Sequence, residues 1–241
     1  MGEAYSTPRQ GGRLLFGLIG WLAALALLAL VFLIWSVEAT RPEWKILVAT
    51  PEITWTALAK LAGDGPLWRA TGATLSTWLV GFGIGAVAGL AIGVLAGSAR
   101  PIESMLGPTL VLVGALPVPL LAFLMILWEG IGTDTGGRLA AGVLAFIAIA
   151  ALTSHAQRGQ ATADRWTGTL RALEIGVVIA LGAVVFAQTL ASRDGLGTLA
   201  AQAFATFEIG RVFALLLWLW LLGVLLALPF AIARWIVGLA R

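Results

Sequence analysis

Five glycines, Gly81, Gly85, Gly89, Gly93 and Gly97, fall at every fourth position within RATGATLSTWLVGFGIGAVAGLAIGVLAG, residues 69–97. Residues four apart on a helix lie along one inclined ridge, so this segment carries a groove with no side chains in it. From Ala70 to Ala99, thirty residues, there is no charged side chain. At about 1.5 Å per residue that length crosses a hydrocarbon core of about 30 Å. Lipid tails are as apolar as the helices they surround, so association in a bilayer must come from close backbone contact, and small residues at this spacing permit it. The spacing predicts the central packing helix of a membrane bundle.

Composition agrees with that setting. The 241 residues are 60% hydrophobic and 11% charged, against about 25% charged in soluble domains. Such a chain cannot present a solvated surface, and a lipid bilayer is its first expected partner. There is no cysteine, which excludes disulfides, thiol nucleophiles and thiolate metal sites. The net charge of +3 rests on only 15 Lys and Arg, scattered near helix ends with no basic run, so nucleic-acid binding is not expected.

Taken in order, residues 1–13 read as a cytoplasmic tail, and 14–37 is an uncharged run of 24 residues forming a first transmembrane helix. Its apolar core exceeds the 7–15 residues of a signal sequence, so an uncleaved span is expected. Residues 38–69 hold Pro42, Pro51 and Pro66 together with Trp44, Trp55 and Trp68. Tryptophan favours the headgroup zone, and the segment reads as an extracytoplasmic amphipathic element on the membrane surface. Residues 70–236 form a five-helix core, and 237–241 a cytoplasmic end. The third crossing, Met105 to Trp128, is interrupted by Pro108 and by Pro117 and Pro119, which remove backbone donors near mid-membrane. A kink beside a pathway and a bend made for packing both fit that pattern. Further runs cover 139–153, 175–192 and 212–233, with an ion pair expected between Arg171 and Glu174, three apart on one helix face.

Six crossings place both termini on one side. With the termini in the cytoplasm, eight Lys and Arg fall inside and seven outside, a nearly neutral bias. No ionisable residue lies deep in an apolar run, which argues against a self-powered pump. No phosphate-binding loop, no HExxH or GxSxG and no His–carboxylate cluster occurs. No catalytic residue, metal ligand or cofactor is therefore expected, and the chain reads as a non-enzymatic subunit or conduit.

The residues also carry a resemblance. Residues 47–132, with their TLSTWLVGFGIGAVAGLAIGVLAG core and the LPVPLLAFLMILWEGIG that follows, are similar to the permease subunits of binding-protein-dependent ABC importers, nearest the nitrate, taurine and aliphatic sulfonate branch. The likeness resumes at 168–236, with the GLG turn at Gly195-Leu196-Gly197, so roughly two thirds of the chain is covered. The resemblance implies an all-α, polytopic fold of six transmembrane helices of the type I importer kind in a bacterial inner membrane. It also implies a second permease subunit, two ATPase subunits and a periplasmic solute-binding protein as partners. The family's cytoplasmic coupling helix, with its Glu-Ala-Ala motif, is missing: its place holds TSHAQRGQATADRWTGTLRAL. The remnant of that loop is His155, Arg158, Asp164 and Arg165. Gln188 stands where the family pattern is acidic.

Two functions follow. One is a permease subunit of an importer for a small anionic solute, degenerate in its ATPase coupling. The other is a permease-derived scaffold that anchors another membrane complex without transport. Pathway residues, chosen on polarity and helix breaks, are Thr74, Trp78, Pro117, Pro119 and Gln188; the helix-packing residues are the five glycines.

Overall fold

The computed structural model describes residues 10–44, 47–115, 123–124, 127–130, 132–158 and 161–239. The described residues are helical, with no strand among them. Among the described residues, four helices are long and apolar enough to cross a membrane: Pro66–Ser98, Thr135–Ala156, Thr162–Leu190 and Ile209–Gly238. The composition had demanded this, because with no water in the hydrocarbon each backbone group must be satisfied within its own segment.

The chain forms two compact units, Met1–Thr54 and Trp55–Arg241. In the first, α1 (Gln10–Glu38) exposes apolar side chains from Ile19 to Val37. Beyond it, Trp35 donates its indole N–H to the Ala49 carbonyl at 2.9 Å, and Arg41 pairs with Glu38 at 3.0 Å. The amphipathic segment expected over 38–69 resolves into a short 3₁₀ turn, Pro42–Trp44, and α2 (Pro51–Gly63), which begins in this unit. Trp68 lies beyond that segment's helix, in the first turn of the next.

The second unit is built on α3 (Pro66–Ser98), 33 residues that start at Pro66 rather than Ala70 because Gly65 turns left-handed (φ 86°) and the proline needs no N–H partner at the first helical position. It continues through α4 (Arg100–Gly114), α5 (Thr135–Ala156), α6 (Thr162–Ala191), α7 (Leu196–Ala205) and α8 (Ile209–Leu239). The fourth apolar run, short when read as 139–153, is thus a 22-residue helix. Helix α4 passes through Pro108 without ending there. The Pro117–Pro119 break lies outside the described residues.

The glycine ridge of α3 is pressed into α5. A Cβ added at Gly81 would stand 2.5 Å from the Arg138 carbonyl oxygen, one at Gly89 2.9 Å from that of Phe146, and one at Gly93 2.8 Å from that of Ala150. At Gly97 it would stand 2.7 Å from the Ser154 oxygen, and at Gly85 it would collide with the Gly142 carbonyl. The partners 138, 142, 146, 150 and 154 themselves advance by fours. Side chains at 141, 145, 149, 153 and 157 fill the flanks of the seam. Two four-residue ridges therefore interlock along five turns, and each glycine aims an α-hydrogen at a carbonyl, a weak attraction that recurs.

Because both residue series rise together, α3 and α5 run parallel. Gly137 lies against Thr77, so α5 starts 21 residues back along α3 from Ser98. Residues 99–134 must therefore return about 30 Å along the bundle. Helix α6 runs the other way, with Gly176 beside Ile149 and Gln188 beside Thr74. Helix α8 is parallel to α3, with Trp218 bonded to Thr71 and Phe230 edge-on to Phe82 at 6.5 Å. The expected Arg171–Glu174 pair does not form. Glu174 reaches across to Arg234 of α8, accepting from Nε at 3.0 Å and from an η-nitrogen at 3.4 Å, and so joins two antiparallel helices.

Gly85→Ala should lower the stability of the detergent-solubilised protein by about 1–3 kcal/mol, because a methyl there must force α5 away. Gly83→Ala, whose added carbon meets nothing within 4 Å, should be neutral or stabilising. Thermal unfolding followed by tryptophan fluorescence distinguishes them, and equal behaviour of the two variants would refute the seam.

Candidate functional site

Where α6 ends and α7 begins, the chain makes a buried polar clasp in otherwise apolar surroundings. Helix α3 places Thr71, Thr74 and Thr77 three apart along one buried face. The Thr74 hydroxyl donates to Gln188 Oε1 at 2.8 Å and accepts the Leu196 N–H at 2.9 Å. Gln188 Oε1 also accepts the Gly197 N–H at 3.4 Å. These are the first two amides of α7, which a helix cannot satisfy from within. A threonine and a glutamine from two other helices thus cap it from outside. Thr198 Oγ lies 3.1 Å from the Gln188 carbonyl oxygen and 3.3 Å from that of Ser192.

The two glycines of the GLG turn are there for space and for conformation. Gly195 has φ 139°, which side chains rarely adopt, and a Cβ on it would overlap the whole Gln188 carboxamide. A Cβ on Gly197 would collide with the Val185 carbonyl. Gln188 itself is 2% exposed, and its Nε2 has no hydrogen-bond partner among the described residues.

Aromatic side chains brace the clasp. Trp218 donates to Thr71 Oγ1 at 2.9 Å, and that hydroxyl donates to the Leu67 carbonyl at 2.7 Å. Trp78 stacks on Phe82 with centroids 5.0 Å apart and directs its N–H at the Val177 carbonyl, 3.3 Å away. Trp68 meets Trp218 edge to face at 5.3 Å. Outside this layer Ser192 Oγ lies 2.9 Å from Asp134 Oδ1, joining the end of α6 to the start of α5. At the head of α8, Arg211 bonds Glu208 at 2.7 Å and holds that carboxyl below the usual carboxylate range.

The structure therefore unites two of the pathway residues, Thr74 and Gln188, in one bond, while Trp78, a turn further along α3, bonds instead to Val177. All three are buried within the helix packing. Pro117 and Pro119 lie outside the described residues. His155, Arg158, Asp164 and Arg165 sit at the opposite end of the bundle, all exposed, where α5 stops at Ala156 and α6 starts at Thr162. The chain between those helices is residues 157–161, so α6 follows α5 almost at once. Trp166, in the first turns of α6, is also exposed there. Sequence reading passed over the Thr71–Trp218 bond, although the 71, 74, 77 spacing was a signal for it.

Comparison with models of known protein families finds no match, and comparison with curated proteins finds none either.

Thr74→Val should destabilise the protein by about 1–3 kcal/mol, because it leaves the Leu196 N–H without its acceptor in a buried position. Thr74→Ser keeps the hydroxyl and should recover most of that loss. Denaturation midpoints in detergent measure both, and a serine variant as weak as the valine one would point to packing instead of the hydrogen bond.

Proposed function

We propose that this chain is a membrane-spanning permease subunit of an ABC-type importer for a small anionic solute, with weakened coupling to an ATPase. The observation that carries the reading is the parallel packing of α3 on α5, which requires a return pass through residues 99–134. With four helices long and apolar enough to span, the reading counts a return pass and α1 as two more, which would make the six crossings that the permease resemblance implies. The short α2 and α7 would then lie at one membrane face. In this reading both termini are cytoplasmic, the membrane is a bacterial inner membrane, and the chain itself catalyses nothing. A second permease subunit, ATPase subunits and a periplasmic solute-binding protein would complete the assembly.

One feature favours the second reading, a scaffold that anchors another membrane complex without transport. The α5–α6 connection spans only residues 157–161, too few for a separate coupling helix at 1.5 Å of rise per residue. A subunit without that projection has little surface on which to receive ATP-driven work. Arg158, Asp164 and Arg165 are the residues left to do so.

Purification in mild detergent from the native source separates the two. The importer reading expects a nucleotide-hydrolysing partner to co-purify, and expects an Arg158→Ala/Arg165→Ala variant to lose most of it. A stable complex with no such partner would overturn transport and favour the scaffold.

A further inference from the structure

At the same end of the bundle as the polar clasp, a cleft of about 160 Å³ opens between the start of α3 and the start of α7. Arg69, Arg193, Asp194, Gly195, Thr198 and Gln202 are among the residues that line it. Its formal charge is +1, two guanidinium groups against one carboxylate. No carboxylate lies within salt-bridge distance of either arginine among the described residues, Asp194 included. Elsewhere on this chain, Arg41, Arg211 and Arg234 each have a carboxylate at 2.7–3.0 Å. Two like charges sharing one small cleft repel each other, and neither has a carboxylate partner among the described residues.

Three further observations show what the cleft is fitted to hold. Arg193 is laid across Gly132, where an added Cβ would stand 2.8 Å from its Cγ and 2.9 Å from its Cδ. Gly132 has φ 102° and the Arg193 Nε lies against the same spot, so a side chain at 132 would displace the end of Arg193. Next, of the first four amides of α7, Leu196, Gly197 and Leu199 have acceptors in Thr74, Gln188 and Gly195. The Thr198 N–H has none among the described residues, and Thr198 lines the cleft. Finally, Gly195 is the thin part of the wall: behind it, outside the cleft lining, the buried Gln188 carboxamide fills the space a side chain would need, its Nε2 unpartnered among the described residues. Two arginines and the Thr198 residue line this one cleft, and the helix end adds a partial positive charge.

We propose that this cleft binds a tetrahedral oxyanion, a phosphate or phosphodiester group held between Arg69 and Arg193 against the Thr198 amide. The volume decides the size class. It exceeds what one or two waters need and falls well short of the 300–1,000 Å³ of sites for larger organic ligands. Guanidinium forks match such oxygens two at a time, which lysine would not. The proposal does not rest on the importer reading, because a lipid headgroup would fill the cleft of a scaffold equally well. A free anion and a lipid phosphate share this chemistry, and the experiment separates them.

The full-length protein in dodecyl maltoside is titrated with inorganic phosphate at constant ionic strength, against chloride, with tryptophan fluorescence as readout; Trp68 adjoins Arg69 and is exposed. In parallel, the protein is placed in nanodiscs of phosphatidylcholine with or without one quarter phosphatidylglycerol, and retained lipid is counted by native mass spectrometry. Saturable phosphate binding weakened at least tenfold in both Arg69→Gln and Arg193→Gln would support a free oxyanion. Phosphatidylglycerol retained by the native protein and lost from both variants, with no phosphate response, would support a lipid headgroup. Arg193→Lys should lose most of the affinity while keeping the charge. Arg171→Gln, an exposed arginine on another stretch of the bundle, should change neither readout. If neither ligand distinguishes the cleft variants from the native protein and from Arg171→Gln, the proposal is overturned. Equal unfolding midpoints for all four variants establish that each is folded.

Discussion

Close contact between two backbones holds this bundle in register. Along five turns the glycine edge of α3 meets carbonyl oxygens of α5, at separations that leave no room for a methyl group. In water, burial of apolar side chains could hold two helices together with a loose fit. In lipid that driving force is lost, and what remains is dispersion across a close surface, weak Cα–H···O attraction and the exclusion of lipid from the seam. Everything else in the second unit is placed by this contact. It makes α3 and α5 parallel, obliges the intervening chain to travel back about 30 Å, and leaves α6 and α8 to pack on the faces that remain.

Polar groups add specificity where the seam adds proximity. Thr74 and Gln188 meet across two helices and jointly receive the first amides of a third. A helix as short as α7 has a large share of its backbone groups unpaired at its ends. In surroundings this apolar, leaving them unpaired would cost several kcal/mol each. The clasp therefore fixes where α7 starts, and with it the turn at Gly195 that carries Arg193 and Asp194 to the surface. Toward the other end, the Glu174–Arg234 pair ties α6 to α8.

Much of this was legible in the residues themselves. The four-residue glycine period named both the helix and its packed face, because the period is a direct record of helix geometry. The choice of Thr74 and Gln188 as residues of interest also came from the sequence, as polar groups in apolar runs must find partners. Their mutual bond did not, since it joins positions 114 apart and depends on which helices are neighbours. For the same reason Glu174 was assigned to Arg171 on its own helix, while the fold offers it Arg234, 60 residues away. Local spacing identifies candidates for a pair, and only the packing selects among them. The start of α3 at Pro66 and the true extent of α5 were masked by flanking polar residues that a hydropathy window truncates.

The central claim is that α3 and α5 run parallel in close contact, and it can be measured without touching the seam. The chain has no cysteine, so nitroxide labels can be attached to introduced cysteines at chosen exposed sites. Labels at Val80 and Leu139, and at Leu95 and Leu152, should each give short distances by pulsed electron resonance. A diagonal pair at Val80 and Leu152 carries about 20 Å of added axial separation and should be clearly longer. A short diagonal with long level pairs would mean that the two helices are antiparallel, and long distances for all three pairs that they are apart; either contradicts the account.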